Sequence, residues 1–150
     1  MKELIKEVSA KECFPVRHAV LRKGRPLSSC AFEDDQNEYC FHLGLFVKSE
    51  IVAIASFIPK KFPEQKTVQP SYQLRGMAVL DSHQGRGLGV KLLDYGLDLL
   101  KGKEASILWM NARIGAVEFY QKLQFSSIGD LFDIPPIGIH QRMYKVLQNE

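Results

Sequence analysis

The residues that most constrain the chemistry of this chain are Gln84-Gly85-Arg86-Gly87-Leu88-Gly89. They follow a β-rich run, Tyr72 to Leu80, and open a stripe of Leu88, Leu92, Leu93, Leu97, Leu99 and Leu100 whose spacing predicts a helix. A helix N-terminus presents backbone N–H groups with no partner inside the helix and carries a partial positive charge. Glycines remove the Cβ atoms that would keep an anion away from those groups. Three glycines in five residues therefore predict a cradle for phosphate or pyrophosphate, where a turn that binds nothing would not need them. The dinucleotide fingerprint would need glycine at Val90, but the third glycine falls at Gly89. The Walker pattern would need Gly-Lys-Ser/Thr, which is absent. Both common nucleotide motifs fail on spacing.

A second block carries further candidate residues: Trp109-Met110-Asn111-Ala112-Arg113, then Ala116 and Phe119-Tyr120-Gln121-Lys122-Leu123-Gln124-Phe125. Together with Met77-Ala78-Val79-Leu80 and the glycine loop, these residues resemble the GNAT N-acetyltransferase superfamily, whose pyrophosphate loop reads Gln/Arg-x-x-Gly-x-Gly/Ala after a strand. Gln84, Gly87 and Gly89 match that pattern. The central resemblance spans about Tyr72 to Phe125. The tail from Gly129 to His140 is similar to that of some bacterial members. Two positions depart from the family: Gln124 stands where glycine is usual, and Asp81 where proline is common.

The resemblance implies acetyl transfer from acetyl-CoA to a primary amine of a small molecule or peptide, by direct attack and without a metal. It implies that backbone N–H groups of Arg86, Gly87, Leu88, Gly89 and Val90 hold the pyrophosphate, with Gln84 and Gly85 also among the cofactor-binding residues. Arg86 could add a guanidinium contact to phosphate or simply face solvent. Met77, Ala78 and Val79 would pair with the pantetheine arm, and the Val79 N–H would serve as oxyanion donor. Gly76 sits where a bulge could splay the strand. Asn111 would hydrogen-bond the pantetheine amides, with Ala116 beside the cofactor. Tyr120 would protonate the departing thiolate. From periodicity alone, Ala116, Phe119, Tyr120 and Leu123 read as a core-facing helix stripe, and Asn111 as a residue that ends a strand.

No general base is marked. The candidates are Glu38, His42, His83 and His140, since an ammonium acceptor must lose a proton, directly or through water. The acidic stretch Glu33-Asp34-Asp35, with Glu38, reads as a solvated loop or as an attractor for a cationic amine, and Arg17, His18 and Arg22 read as surface residues of a first helix. Cys13, Cys30 and Cys40 are odd in number and have neither disulfide nor metal spacing, so free thiols in a reducing compartment are expected. None has a neighbouring base that would make it a nucleophile.

These residues need a scaffold. The pattern predicts, in order, a short strand at Leu4–Val8 and a helix over Cys13–Lys23 with Pro15 in its first turn. A hairpin of Phe41–Val47 with Ile51–Ile58 follows, then the strand Tyr72–Leu80 and the leucine helix. The chain closes with the strand Ser106–Met110, a helix over Ile114–Leu123, and the strands Ser127–Ile134 and Ile139–Leu147. That order places the chain in the α/β (α+β) class. The expected architecture is a single domain over residues 1–150, with a mixed, mostly antiparallel sheet of six to seven strands flanked by helices. The resemblance adds a V-shaped splay between two central parallel strands.

One hundred and fifty residues, 45% hydrophobic and 25% charged, suit one globular domain and exclude disorder, collagen or coiled coil as a global description. A net charge of +3 without a basic stripe argues against a nucleic-acid partner. The absence of a long apolar run argues against a membrane partner, and a cytoplasmic location is expected. A homodimer is compatible with the resemblance. A second reading keeps coenzyme binding but loses turnover, giving an acyl-CoA-binding sensor or regulatory module.

Overall fold

The structure is a computed structural model that describes residues 2–66 and 69–147. Seven strands form one sheet in the order β1-β2-β3-β4-β5-β7-β6. They are β1 (Glu3–Val8), β2 (Phe41–Val47), β3 (Glu50–Pro59), β4 (Ser71–Val79), β5 (Ile107–Arg113), β6 (Ser126–Ile134) and β7 (Gly138–Val146). Three α-helices accompany them: α1 (Ala10–Val16), α2 (Leu88–Gly102) and α3 (Val117–Lys122). The chain divides into two compact units, Met1–Pro59 with Leu74–Leu100 and Lys60–Gln73 with Lys101–Glu150.

In the first unit, β1 pairs antiparallel with β2, and β2 with β3. The hairpin turns at Lys48-Ser49, both with positive φ (52° and 69°), the conformation that matches the twist of two adjoining strands. Val52 to Ile58 are buried, as an uninterrupted apolar run predicts.

The first helix starts earlier than its apolar pattern suggests. Ser9 and Glu12 form a capping box: Ser9 Oγ accepts from the Glu12 N–H at 3.1 Å, and Glu12 Oε1 from the Ser9 N–H at 2.9 Å. Pro15 consequently lies inside the helix rather than in its first turn. The α-helical pattern ends at Val16 and passes into one π-helical turn, Arg17–Leu21. Proline lacks the N–H that would bond back along the helix, which weakens the ladder at this point. Cys13 and Val16 pack with Ile54 and Ala78.

Helix α2 buries Leu88, Leu92, Leu93, Leu97 and Leu100, while Leu99 is only half-buried. Gly96 lets the Phe57 ring lie directly against the helix, because a Cβ there would collide with it.

In the second unit, β4 pairs parallel with β5 over Ser71–Gln73 against Ile107–Trp109. That is three residues of a nine-residue and a seven-residue strand. β5 pairs antiparallel with β7, and β7 with β6. The β6–β7 hairpin is closed by a cis Pro135-Pro136 peptide. Phe62, Ile107 and Trp109 form the core, with Ile128 and Tyr144 against it. The Trp109 indole N–H donates to the Lys60 carbonyl at 3.0 Å, which satisfies the polar edge of a buried ring.

The predicted helix Ile114–Leu123 resolves into a 3-10 turn, Ile114–Ala116, and the short α3. Its end is a Schellman closure. The Phe125 N–H donates to the Tyr120 carbonyl at 3.1 Å and the Gln124 N–H to the Gln121 carbonyl at 3.0 Å. Gln124 supplies the left-handed residue, φ 73°. Where the family usually has glycine, glutamine here takes up the glycine's conformation.

Candidate active site

The glycine loop has the geometry its composition suggests. Gly85 and Gly87 have φ of 80° and 75°, and a Cβ at either would meet nothing within 4 Å. These glycines therefore serve backbone conformation and open approach rather than packing. The first α2 hydrogen bond runs from the Lys91 N–H to the Gly87 carbonyl at 3.1 Å. The N–H groups of Leu88, Gly89 and Val90 lie ahead of it, where a helix cannot satisfy its own donors. Gln84 ties the root of the loop to the end of β4: its amide donates to the Val79 carbonyl at 3.0 Å and to Asp81 Oδ1 at 3.1 Å. Asp81, the first residue of a short 3-10 turn, Asp81–His83, thus anchors Gln84 just after that turn. Arg86 reaches back to the Ser82 carbonyl at 3.4 Å, on the surface. Met77 and Val79 are half-buried and Ala78 is buried. The Leu80 N–H donates to the Val52 carbonyl at 2.9 Å.

Two expectations about the first unit need correction. Arg17 is not a surface residue: its side chain is 0% exposed. Nor is Glu33-Asp34-Asp35 a solvated loop. It forms a 3-10 turn, Glu33–Gln36, that delivers Asp35 to Arg17. Arg17 Nη1 and Nη2 donate to the two Asp35 oxygens at 2.8 and 3.0 Å, and also to the Cys30 carbonyl (2.7 Å) and Ser56 Oγ (3.0 Å). Burial pushes the Asp35 carboxyl up. The Arg17 hydrogen bonds and the Phe32 N–H outweigh this, and hold it below its ordinary value.

His42 belongs to the same network. It is buried, with Nδ1 2.7 Å from Ser56 Oγ, and Nε2 3.7 Å from Cys40 Sγ and 3.9 Å from Asp35 Oδ1. Ser56 Oγ also accepts from Arg17 Nη2, so one hydroxyl links the arginine and the imidazole. Burial lowers the His42 pKa more than Asp35 raises it. The other base candidates of this unit lie outside the network. His83 contacts Ser82 Oγ at 2.8 Å, and Glu38 is exposed.

In the second unit Asn111 lies within β5, not after it as its residue type suggested. Its Oδ1 accepts from Arg142 Nε at 3.1 Å; Arg142 also pairs with Glu64 at 3.0 Å and lies over the Trp109 ring. Ala116 sits half-buried in the turn before α3. Tyr120 is buried edge-on between Phe119 and Phe125, with centroids 5.1 and 5.7 Å away. Burial raises its phenol well above the ordinary value of 10. His140 is buried, and its Nδ1 donates to the Gly138 carbonyl at 2.7 Å.

The three cysteines are free. Among the described residues, no group of three or more His, Cys, Asp or Glu is placed to hold a metal ion, and no helix is long and apolar enough to cross a membrane.

The family model for the acetyltransferase (GNAT) family matches residues 7–125. The chain belongs to the GNAT family. It is 35% identical over 144 residues to the uncharacterized N-acetyltransferase YitI of Bacillus subtilis, covering 96% of each chain. Its fold is similar to an aminoglycoside 6'-N-acetyltransferase solved with coenzyme A, with a TM-score of 0.77, 13% identity and 98% of each chain covered. It is also similar to the ribosomal-protein-S18-alanine N-acetyltransferase of Escherichia coli, with a TM-score of 0.75, 17% identity, and 99% of this chain and 96% of that one covered. The protein is thus a GNAT acetyltransferase that uses acetyl-CoA as co-substrate and an amine as acceptor. The resemblance read from the glycine loop and the Phe119-Tyr120 block is borne out at the level of family, fold and reaction.

Proposed function

We propose that the chain acts as one acetyltransferase domain that moves an acetyl group to a primary amine of a small molecule or peptide by direct attack. The carrying observation is the loop between β4 and α2. Gly85 and Gly87 are left-handed with open space around them, and the helix's unsatisfied N–H groups follow at once. N–H groups from Arg86 to Val90 hold the pyrophosphate of acetyl-CoA, and Gln84 keeps the loop at a fixed distance from Val79. Backbone groups of Met77 to Val79 pair with the pantetheine arm, and the Val79 N–H stabilises the developing oxyanion. Such a donor contributes roughly 10²–10³ in rate. Asn111 binds a pantetheine amide and Ala116 lines the cofactor. The Tyr120 hydroxyl gives its proton to the departing thiolate, a role supported by a phenol that burial keeps protonated. The amine attacks as the free base, so one proton leaves the acceptor and one arrives on sulfur. The place of action is the cytoplasm, as a monomer or homodimer.

Thiol release from acetyl-CoA across a library of amines tests the reaction, and calorimetry with coenzyme A tests the loop. Wild type should bind and turn over, and Gly87→Ala should weaken coenzyme binding with the fold intact. Coenzyme binding without turnover on any amine would instead favour a sensor. No binding at millimolar coenzyme would remove both readings.

A further inference from the structure

Two buried side-chain oxygens of the second unit have no hydrogen-bond donor among the described residues. One is Oε1 of Gln73, a residue only 6% exposed, and the other is Oε1 of Glu64. Leaving a buried acceptor unpaired costs free energy, so each calls for a donor. The neighbouring donors are already spent. The Trp109 indole N–H goes to the Lys60 carbonyl, and Arg142 Nε and Nη1 go to Asn111 Oδ1 and Glu64 Oε2.

Both oxygens belong to one face of the sheet. Gln73 and Trp109 form the last pair of the parallel β4–β5 ladder, so their side chains share a face. Asn111 stands two residues further along β5, opposite Arg142 on β7, and shares it too. Arg142 joins these residues. Its guanidinium lies 5.5 Å from the centre of the Trp109 ring, 3.1 Å from Asn111 Oδ1 and 3.0 Å from Glu64 Oε2. The Glu64 carboxylate is therefore fixed through one oxygen while the other is turned away from water. The face is not sealed. The Glu64 and Arg142 side chains keep 29% and 25% of their surface exposed, so solvent and solutes reach this pair.

We infer that Gln73 Oε1 and Glu64 Oε1 receive the two N–H groups of the acceptor amine. A neutral primary amine carries two N–H donors and one lone pair. The two oxygens hold the donors, and the lone pair is left to attack the thioester carbonyl. A secondary amine brings one N–H and leaves one buried oxygen unpaired, which a site of this kind rejects. The selected class is thus an unbranched primary amino group, whatever the rest of the acceptor carries. This rests on the acetyl-transfer reading above, in which Asn111, bonded to the same Arg142, meets the pantetheine arm. Gln73 and Glu64 touch the acceptor; Arg142, which fixes the Glu64 carboxylate, is a positioning residue.

The test pairs primary amines with their N-methyl derivatives in the thiol-release assay. Wild type should favour the primary member by roughly tenfold or more in kcat/KM. Gln73→Leu and Glu64→Ala should each erase most of that preference and raise KM for the acceptor about tenfold, with KM for acetyl-CoA unmoved. Gln73→Glu, which keeps an inward oxygen, should retain the preference. Gln73→Leu replaces an unpaired amide by an apolar side chain of similar size, so it should melt no lower than wild type. Equal use of primary and N-methyl amines by wild type, or a preference that survives both variants, overturns the inference. So does a lower melting temperature with KM for the acceptor unmoved, because that assigns the two oxygens to buried water. Saturation-transfer NMR with ethylamine, in the presence of coenzyme A, separates the inference from the reading beneath it. An ethylamine signal that is lost in Gln73→Leu and Glu64→Ala upholds the amine site even if no amine is acetylated. No signal, or an equal signal in wild type and variants, overturns it even if acetyl transfer is confirmed.

Discussion

At the scale of single residues, Tyr120 and Arg17 show how burial decides a role. A phenol pushed above its ordinary value can donate a proton at neutral pH but cannot act as a base there. Tyr120→Phe should therefore lower kcat by about 10²-fold, within the usual range for losing a general acid, with KM for acetyl-CoA little changed. Steady-state kinetics checks this, and an unchanged kcat would leave Tyr120 as packing alone. Arg17 is a buried ion-pair partner, so its removal strands the Asp35 carboxylate. Arg17→Met should cost about 3–5 kcal/mol in urea unfolding, and Arg17→Met combined with Asp35→Leu should recover most of that loss. The sequence gives no warning of this network. Asp35 is 18 residues from Arg17 and Ser56 is 39, and charged residues on a short helix ordinarily point to water. Tyr120 was legible only through its resemblance block, since its spacing is that of any core-facing helix residue.

At the scale of elements, the strands and α2 were readable because their apolar spacing is long and regular. The hairpin β2–β3 and the start of α2 at Leu88 fall within a residue of their patterns. The ends of α1 and α3 were not, because local hydrogen bonds rather than periodicity set them. Ser9-x-x-Glu12 is a start signal that the apolar pattern alone overlooks, and it moves α1 back to Ala10. The residue type of Asn111 favours a turn after its strand, but pairing with Arg142 on β7 carries β5 past it. The closure of α3 yields a stability prediction. Gln124 holds a left-handed conformation, φ 73°, that strains a side-chain-bearing residue. Gln124→Gly relieves the strain at some cost in unfolded-chain entropy. The net gain should be about 0.5–1 kcal/mol, seen as a rise in melting temperature of about 2–4 °C per kcal/mol. A lower melting temperature would show that the glutamine side chain makes contacts worth more than the strain.

At the scale of the whole molecule, the buried polar network makes stability depend on pH. His42 has a folded pKa below its ordinary 6.5, so the unfolded chain takes up a proton that the folded chain refuses. Its contribution is complete above pH 6.5 and is lost as pH falls below that value. Asp35, held below 3.8, adds a second loss only as pH falls through its still lower folded value. The melting temperature should therefore drop between pH 7 and pH 5, and His42→Gln should flatten that drop. Thermal melts across this range check it; an unaltered slope in the variant would assign the effect to other groups.

The two compact units alternate along the chain, and the seam between residues 73 and 74 falls inside the single strand β4. No one cut releases either unit free of the other. A gene truncated after Leu100 would encode all of the first and a stranded fragment, Lys60–Gln73, of the second. Neither unit is contiguous in the chain, so any fusion that carries one of them whole also carries residues of the other.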